Sequence, residues 1–412
     1  MIRREIDSPY AWFRLAVSVL LSAIGGVGMW SVVVALPAVQ ADFHADRAAA
    51  SIPFTLTMIG FGVGGVIMGR IADRSGIILP MMIGATTLGA GYILASLAPN
   101  LPSFSAAYLL IGTFGTAATF VPLMANISLW FEQRRGIAIA LCASGNYISG
   151  AVWPTLIEAA IRTHGWRTTH LAVGIFCLIV MPPLAMLLKS PGPVRAAGAP
   201  LPAASRHRIA LPPWILQTLL CTAGLACCVA MSMPQVHIVA YCTDLGYGPA
   251  RGAQMLALML GFGIVSRVGS GFLADRIGGV ATLLIGSFAQ MAALTLYLMM
   301  DGLTSLYVIA ILFGLFQGGL VPSYAIIVRE SFPAHEAGAR VGTILMMTIL
   351  GMALGGWMSG VIYDLTGSYR AAFANGVAWN GLNLLIAVFL LFRSPLSAPR
   401  SATAPHAGSA AE

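Results

Sequence analysis

Long apolar runs, separated by short charged or turn-rich breaks, organise this chain from residue 14 to residue 393. A helix that crosses a bilayer needs about 20 predominantly apolar residues. Twelve runs reach that length: 14–38, 50–70, 77–97, 103–130, 136–160, 168–189, 213–241, 251–274, 279–300, 303–329, 338–363 and 370–393. The pattern predicts an all-α membrane protein of twelve transmembrane helices. Charge sets its orientation, because cytoplasmic loops carry an excess of Lys and Arg. Counted with the N-terminus inside, the inner segments hold sixteen basic residues and the outer loops five: Arg47, Arg162, Arg167, Arg251 and Arg370. Both termini are therefore expected in the cytoplasm, with the protein in a plasma membrane such as the bacterial inner membrane.

The runs fall into two sets of six. Residues 69–76 read GRIADRSG and residues 271–278 read GFLADRIG, so G-x-x-A-D-R-x-G recurs at an offset of 202. Pro122 and Pro322 stand in spans four and ten within VPLMA and VPSYA, and Gly174 and Gly376 open similar stretches in spans six and twelve. Two pseudo-symmetric six-helix bundles are expected, 1–189 and 213–393, with a binding site near midplane where the repeats meet. The segment 190–212 is rich in Pro and Ala and reads as a flexible cytoplasmic linker. Residues 394–412 read as a disordered tail.

Composition agrees with the pattern. Hydrophobic residues make up 58% of the 412 and charged residues only 9%, against about a quarter in soluble domains. The 46 glycines suit helices that pack closely in lipid, where no hydrophobic force draws them together. A net charge of +8 is compatible with nucleic-acid binding, but the basic residues form no groove or arm, and no nucleic-acid partner is expected. All six cysteines (Cys142, Cys177, Cys221, Cys227, Cys228 and Cys242) lie within apolar runs without ligand spacing, so they read as small hydrophobes. The N-terminus, with Arg3 and Arg4 ahead of Tyr10, Trp12 and Phe13, is not a cleavable signal peptide. Neither a paired-carboxylate nor a Ser-His-Asp arrangement suggests an enzyme, and no GxxxxGK[ST] loop suggests ATP as an energy source. No cofactor or metal is expected.

Arg267 carries the sharpest chemistry. It lies eight residues before Asp275, about 12 Å of helix rise, where an arginine costs about 2.5–3.5 kcal/mol and should face a wet cavity. No Asp or Glu stands at similar depth; Glu158 is near the outer end of span five, and Asp73 and Asp275 are at the inner edge. A guanidinium fork without a carboxylate is a site for an anion, although a tie onto backbone carbonyls is the alternative reading. His237, expected to be the only histidine deep in a span, is a candidate donor to the anion or proton carrier just past Pro234, which should kink span seven. Asn126, Asn146, Tyr147, Gln317 and Tyr324 are further candidates to hydrogen-bond a carboxylate or hydroxyl, or to tie helices together. Trp30, Trp153 and Trp357 are candidates to shape the cavity. At the inner edge, Gly69, Asp73 and Arg74, with their echo Gly271, Asp275 and Arg276, read as a latch in which carboxylates pair with arginines or cap helix N-termini in one state only.

On these residues the chain resembles the major facilitator superfamily. The loop with Gly69, Asp73, Arg74 and Gly76 is similar to that family's signature between spans two and three, and its duplicate falls between spans eight and nine. The signature is truncated, since Ile77, Ile78 and Leu79 follow where the family has further basic residues. Arg267, four residues before Gly271 and eight before Asp275, resembles the monocarboxylate porter and oxalate–formate exchanger branch, as does PQVHIVAYCTDLG at 234–246. The resemblance implies that Arg267 binds substrate carboxylate. Two departures stand against a full match. Animal monocarboxylate carriers have a lysine in span one and an aspartate one turn before the arginine, whereas span one lacks lysine here and Gly263 holds the other position. The oxalate exchanger has a lysine in span eleven, where this chain has only Arg340 at the inner edge. A single central charge suits a monoanion.

The expectation is a secondary carrier of a lactate- or pyruvate-like monocarboxylate, with a proton as candidate co-substrate, working as a monomer in the bilayer by alternating access. The alternatives are another organic-anion exchanger or a drug–proton antiporter of the same fold. The latter would carry an arginine in span four and Gly-Pro in span five, and neither is present. A sensor that binds without transporting would need a signalling domain that the linker and tail do not supply.

Overall fold

The computed structural model describes residues 6–132, 134–190, 209 and 211–393. Most of the expected linker and all of the expected tail, with Arg3 and Arg4, lie outside these residues. Every regular element among them is helical. The helices of the first half are α1 (Pro9–Gly25), α2 (Val27–Phe43), α3 (Arg47–Ser75), α4 (Ile78–Ser96), α5 (Leu101–Leu110), α6 (Val121–Ile127) and α7 (Arg135–Met186), with a π-helical stretch Ile111–Thr116 after α5. The second half holds α8 (Pro213–Asp244), α9 (Pro249–Ile277), α10 (Gly279–Met299), α11 (Leu303–Gln317), α12 (Leu320–Ser331), α13 (Ala334–Thr366) and α14 (Tyr369–Arg393).

Among the described residues, eleven helical stretches are long and apolar enough to cross a membrane. One of them, Gly136–Met186, has 51 residues, far more than a core about 30 Å thick needs at 1.5 Å per residue. It reverses at Gly165, whose φ of 77° favours glycine, and so supplies spans five and six. With that stretch counted twice, the crossings number twelve.

The repeat is visible in the backbone. Gly76 and Gly278 close the two signature loops with matching left-handed conformations, φ 77° and 84°, and each donates its N–H to the alanine of its motif, Ala72 or Ala274, at 2.9 Å. Spans four and ten are both broken just ahead of their Val-Pro pair, between the π stretch and α6 and between α11 and α12. Proline removes a donor and crowds the preceding turn, which accounts for a restart at that place in each half.

Glycines set the helix spacing. A Cβ at Gly64 of α3 would overlap Thr113 O, one at Gly314 of α11 would overlap Met259 O, and one at Gly355 of α13 would overlap Val229 O. Gly60 and Gly351 stand four residues away on the same helices, and Gly318 four residues away just past the end of α11, so each contact is of the small-xxx-small kind that lets backbones touch.

Between the halves, α3 packs on α13, and the first leg of α7 on α9. The α3–α13 contacts run from Arg47 and Ala48 against Gly360, through Phe54 against Gly356, to Gly62 against Met346. Arg47 forms a 3.0 Å ion pair with Asp244 at the end of α8 and sits over the rings of Tyr363 (4.8 Å) and Tyr369 (5.8 Å). Asp364 accepts the Arg47 and Ala48 backbone N–H groups at 2.9 and 2.7 Å. Toward the other end the halves part: Arg70, Asp73, Gly338, Gly342, Phe272 and Ile137 are all exposed. The chain is thus sealed at the Arg47 end and open toward the Asp73 end.

Candidate functional site

The crossing of α7 and α9 brings together two of the residues singled out from the sequence. Arg267 reaches across from α9, and its guanidinium carbon stands 4.6 Å from the centre of the Tyr147 ring on α7. Among the described residues the guanidinium makes no hydrogen bond or ion pair, and its buried Nε has no partner. Arg267 and Tyr147 are each partly exposed, so both remain reachable. The tie onto backbone carbonyls that a buried arginine could make is not formed. A charge placed in a low-dielectric site without a counter-charge attracts an anion.

Neighbouring residues wall this place. Trp30 of α2 is buried and donates its Nε1–H to the Asn146 carbonyl at 3.3 Å, pinning the segment that carries Tyr147. The Asn146 side chain reaches Met29 Sδ at 3.8 Å and leaves its Oδ1 buried without a partner. One turn along the crossing, Leu260 of α9 meets Gly150 of α7. Trp153 donates to Ala23 O at 2.9 Å, within the first half, and Trp357 is 41% exposed at the surface.

The other candidates lie elsewhere. Gln317 is fully buried and accepts a 2.7 Å bond from Gln235, a residue the sequence reading passed over. In that pair Gln235 Oε1 and Gln317 Nε2 have no partner. Tyr324 donates to Asn383 at 2.8 Å and joins a buried chain through Ser287 to Asn380, linking α10, α12 and α14. His237 is buried with both ring nitrogens engaged, one 2.8 Å from Gly356 O and the other 3.1 Å from the Tyr369 hydroxyl. Its helix α8 runs on past Pro234 to Asp244. A second histidine, near the start of span six, is buried as well. His170 is 1% exposed and contacts the Tyr108 hydroxyl at 2.8 Å, which in turn bonds Ser31 at 3.0 Å.

Asn126 belongs to the Asp73 end. It accepts from Arg14 at 2.9 Å, and Arg14 also donates to Leu188 O and Ser190 O at 3.1 Å and stacks 4.4 Å from Trp130. Arg14, expected at the start of span one, is instead inside α1 and fully buried. Helix α1 starts earlier than the hydropathy suggests because Ser8 caps it at Ala11 N. Asn126 and Asp73 line a cavity of about 500 Å³ with Lys189 and Ile78. Asp73, Arg74, Asp275 and Arg276 are exposed, and Gly69 and Gly271 are half-buried beside them. The amide at the start of α10, Gly279 N, is taken by Glu330 at 3.2 Å.

Comparison with known proteins adds an independent line. Residues 18–306 and 268–411 match the model of the Major Facilitator Superfamily. Among curated proteins, the chain is 27% identical over 363 residues to monocarboxylate transporter 13 of Bos taurus, covering 85% of this chain and 82% of that one. It is 27% identical to the MFS-type transporter YcxA of Bacillus subtilis, covering 84% and 86%. Among solved structures, a bacterial homolog of the human lysosomal transporter Spinster, in an inward-facing and occupied conformation, superposes with a TM-score of 0.69 at 14% identity, over 94% of this chain and 97% of that one.

Proposed function

The chain belongs to the major facilitator superfamily, and on that premise we propose that it is a secondary carrier that moves a small monocarboxylate, lactate- or pyruvate-like, across the membrane. The observation that carries the reading is Arg267: a reachable guanidinium between the two halves, with a ring beside it and no carboxylate. Relatives named as monocarboxylate transporters support the substrate class. The two six-helix halves, 1–189 and 213–393, act as the moving bodies, rocking about the α7–α9 and α3–α13 contacts. The basic loops orient the Asp73 end to the cytoplasm, so the arrangement described above is the one open inward. Asp73, Arg74, Asp275 and Arg276 would meet only in the opposite arrangement, which agrees with their exposure here.

His237 holds two structural partners, so a co-transported proton rides on the substrate carboxyl in this reading rather than on a midplane side chain. The test is uptake of labelled lactate into proteoliposomes, competed by a panel of acids. Pyruvate and other short monocarboxylates are expected to compete, and dicarboxylates and organic cations to compete at least about tenfold less, because one guanidinium neutralises one negative charge. Saturable uptake competed equally by cationic dyes would replace this reading with that of a drug carrier.

A further inference from the structure

What Arg267 meets on the opposite half is a ring face. A carboxylate in that place would neutralise the guanidinium and occupy its fork. An aromatic ring attracts the cation through its quadrupole and leaves the in-plane N–H donors directed away from it. Two glycines make the contact possible. At Gly263, one turn before Arg267, a Cβ would overlap Tyr147 Cε1, so a larger residue there would displace the ring. At Gly318, in the break of span ten, a Cβ would overlap Gly263 O and lie 3.1 Å from the Arg267 backbone nitrogen. The broken span therefore rests directly on the turn of α9 that carries the arginine.

We infer that Tyr147 is a positioning residue: seated by Gly263 and backed by Gly318, it fixes the plane of the Arg267 guanidinium while leaving its charge and its donors for the transported anion. The inference rests on the reading of Arg267 as the anion anchor. Tyr147 belongs to the first half and Arg267 to the second, so the orientation exists only while α7 and α9 lie together. Affinity for the anion is thereby tied to the arrangement of the halves.

Two measurements on the purified full-length chain test this. One is the rate at which phenylglyoxal modifies Arg267, read by peptide mass spectrometry; the other is the concentration dependence of lactate uptake. Tyr147→Phe keeps the ring, and both quantities are expected to stay within about twofold of the unaltered chain. In Tyr147→Leu, Arg267 modification is expected to rise about fivefold, and KM about 2- to 30-fold with Vmax nearly unchanged, the range set by loss of a cation–π contact. Unchanged modification of Arg267 in Tyr147→Leu overturns the inference. An equal KM rise in Tyr147→Phe also overturns it, because the hydroxyl and not the ring would then be the contact. If the unaltered chain takes up no lactate, the substrate reading fails, and the modification rates still decide the positioning role.

Discussion

Arg267→Ala is expected to lower lactate uptake at low substrate concentration by about 10²- to 10⁴-fold. The expectation follows from a guanidinium that, among the described residues, has no hydrogen-bond or ion-pair partner and so offers its fork to the substrate. Two hydrogen bonds to a charged group contribute roughly 1.5–3 kcal/mol each, and each 1.4 kcal/mol is about a factor of ten. Because Arg267 makes no hydrogen bond or ion pair to another helix among the described residues, and only the ring contact with Tyr147 is lost, thermal stability of the variant should stay close to that of the unaltered chain. Arg267→Lys preserves the charge but not the planar fork, and a loss of only about tenfold is expected. Initial uptake rates in proteoliposomes, normalised to reconstituted protein, measure both losses, and a thermal melt of the purified variant measures its stability. Uptake by Arg267→Ala within threefold of the unaltered chain would leave the carrier but remove its anion anchor.

The second large effect is expected at the Arg47 end. Replacing Asp244 and Asp364 together by alanine should unseal that end and raise the reaction of a thiol at Ser51→Cys with a membrane-impermeant maleimide by about 100-fold. Ser51 lies one turn into α3 and is fully buried. Both Asp244 carboxylate oxygens lie 3.0 Å from Arg47 Nη2, and Asp364 takes two backbone N–H groups of the opposite half. The Arg47 side chain is 7% exposed, but Asp244 and Asp364 are exposed, so solvent screening reduces what each contact contributes. Removing roughly 3 kcal/mol of such contacts shifts a two-state equilibrium about 100-fold. Five of the six native cysteines are buried, which keeps the background low, and Cys221 is the exception to control for. Equal labelling with and without the aspartates would show that something else holds the halves together.

Hydropathy was sufficient for the crossings because lipid imposes its length requirement on each span separately. The duplicated loop was legible for a related reason: a glycine in the left-handed region ends each copy, and that need is local. Arg267 stood out because a charge in an apolar run is costly wherever the helix faces. Side-chain partners were not legible in the same way. Asn126 carries no local signal of the Arg14 guanidinium that it accepts from, since α1 and α6 meet only in the packed bundle. Gln235 carries no local signal that pairs it with Gln317, since α8 and the end of α11 meet only in the packing of the second half. His170 lies just inside the expected start of span six, so nothing in its immediate sequence separated it from a loop residue. Arg47, Asp244 and Asp364 each looked like ordinary loop charge, and only the apposition of α3, α8 and α13 gathers them.

The cap that α3 receives from the other half has a consequence for how easily the seal can break. Asp46 stands at the N-cap position of α3 and makes no capping bond there, while Asp364 holds the Arg47 and Ala48 amides. The helix therefore has a carboxylate in use and another in reserve at the same terminus. As the halves separate, the released Ala48 amide, at the second helical position, can pass to Asp46, so the terminus changes hands and is not left bare. Such a handover would lower the barrier to opening without weakening the closed arrangement, which a single shared cap could not do.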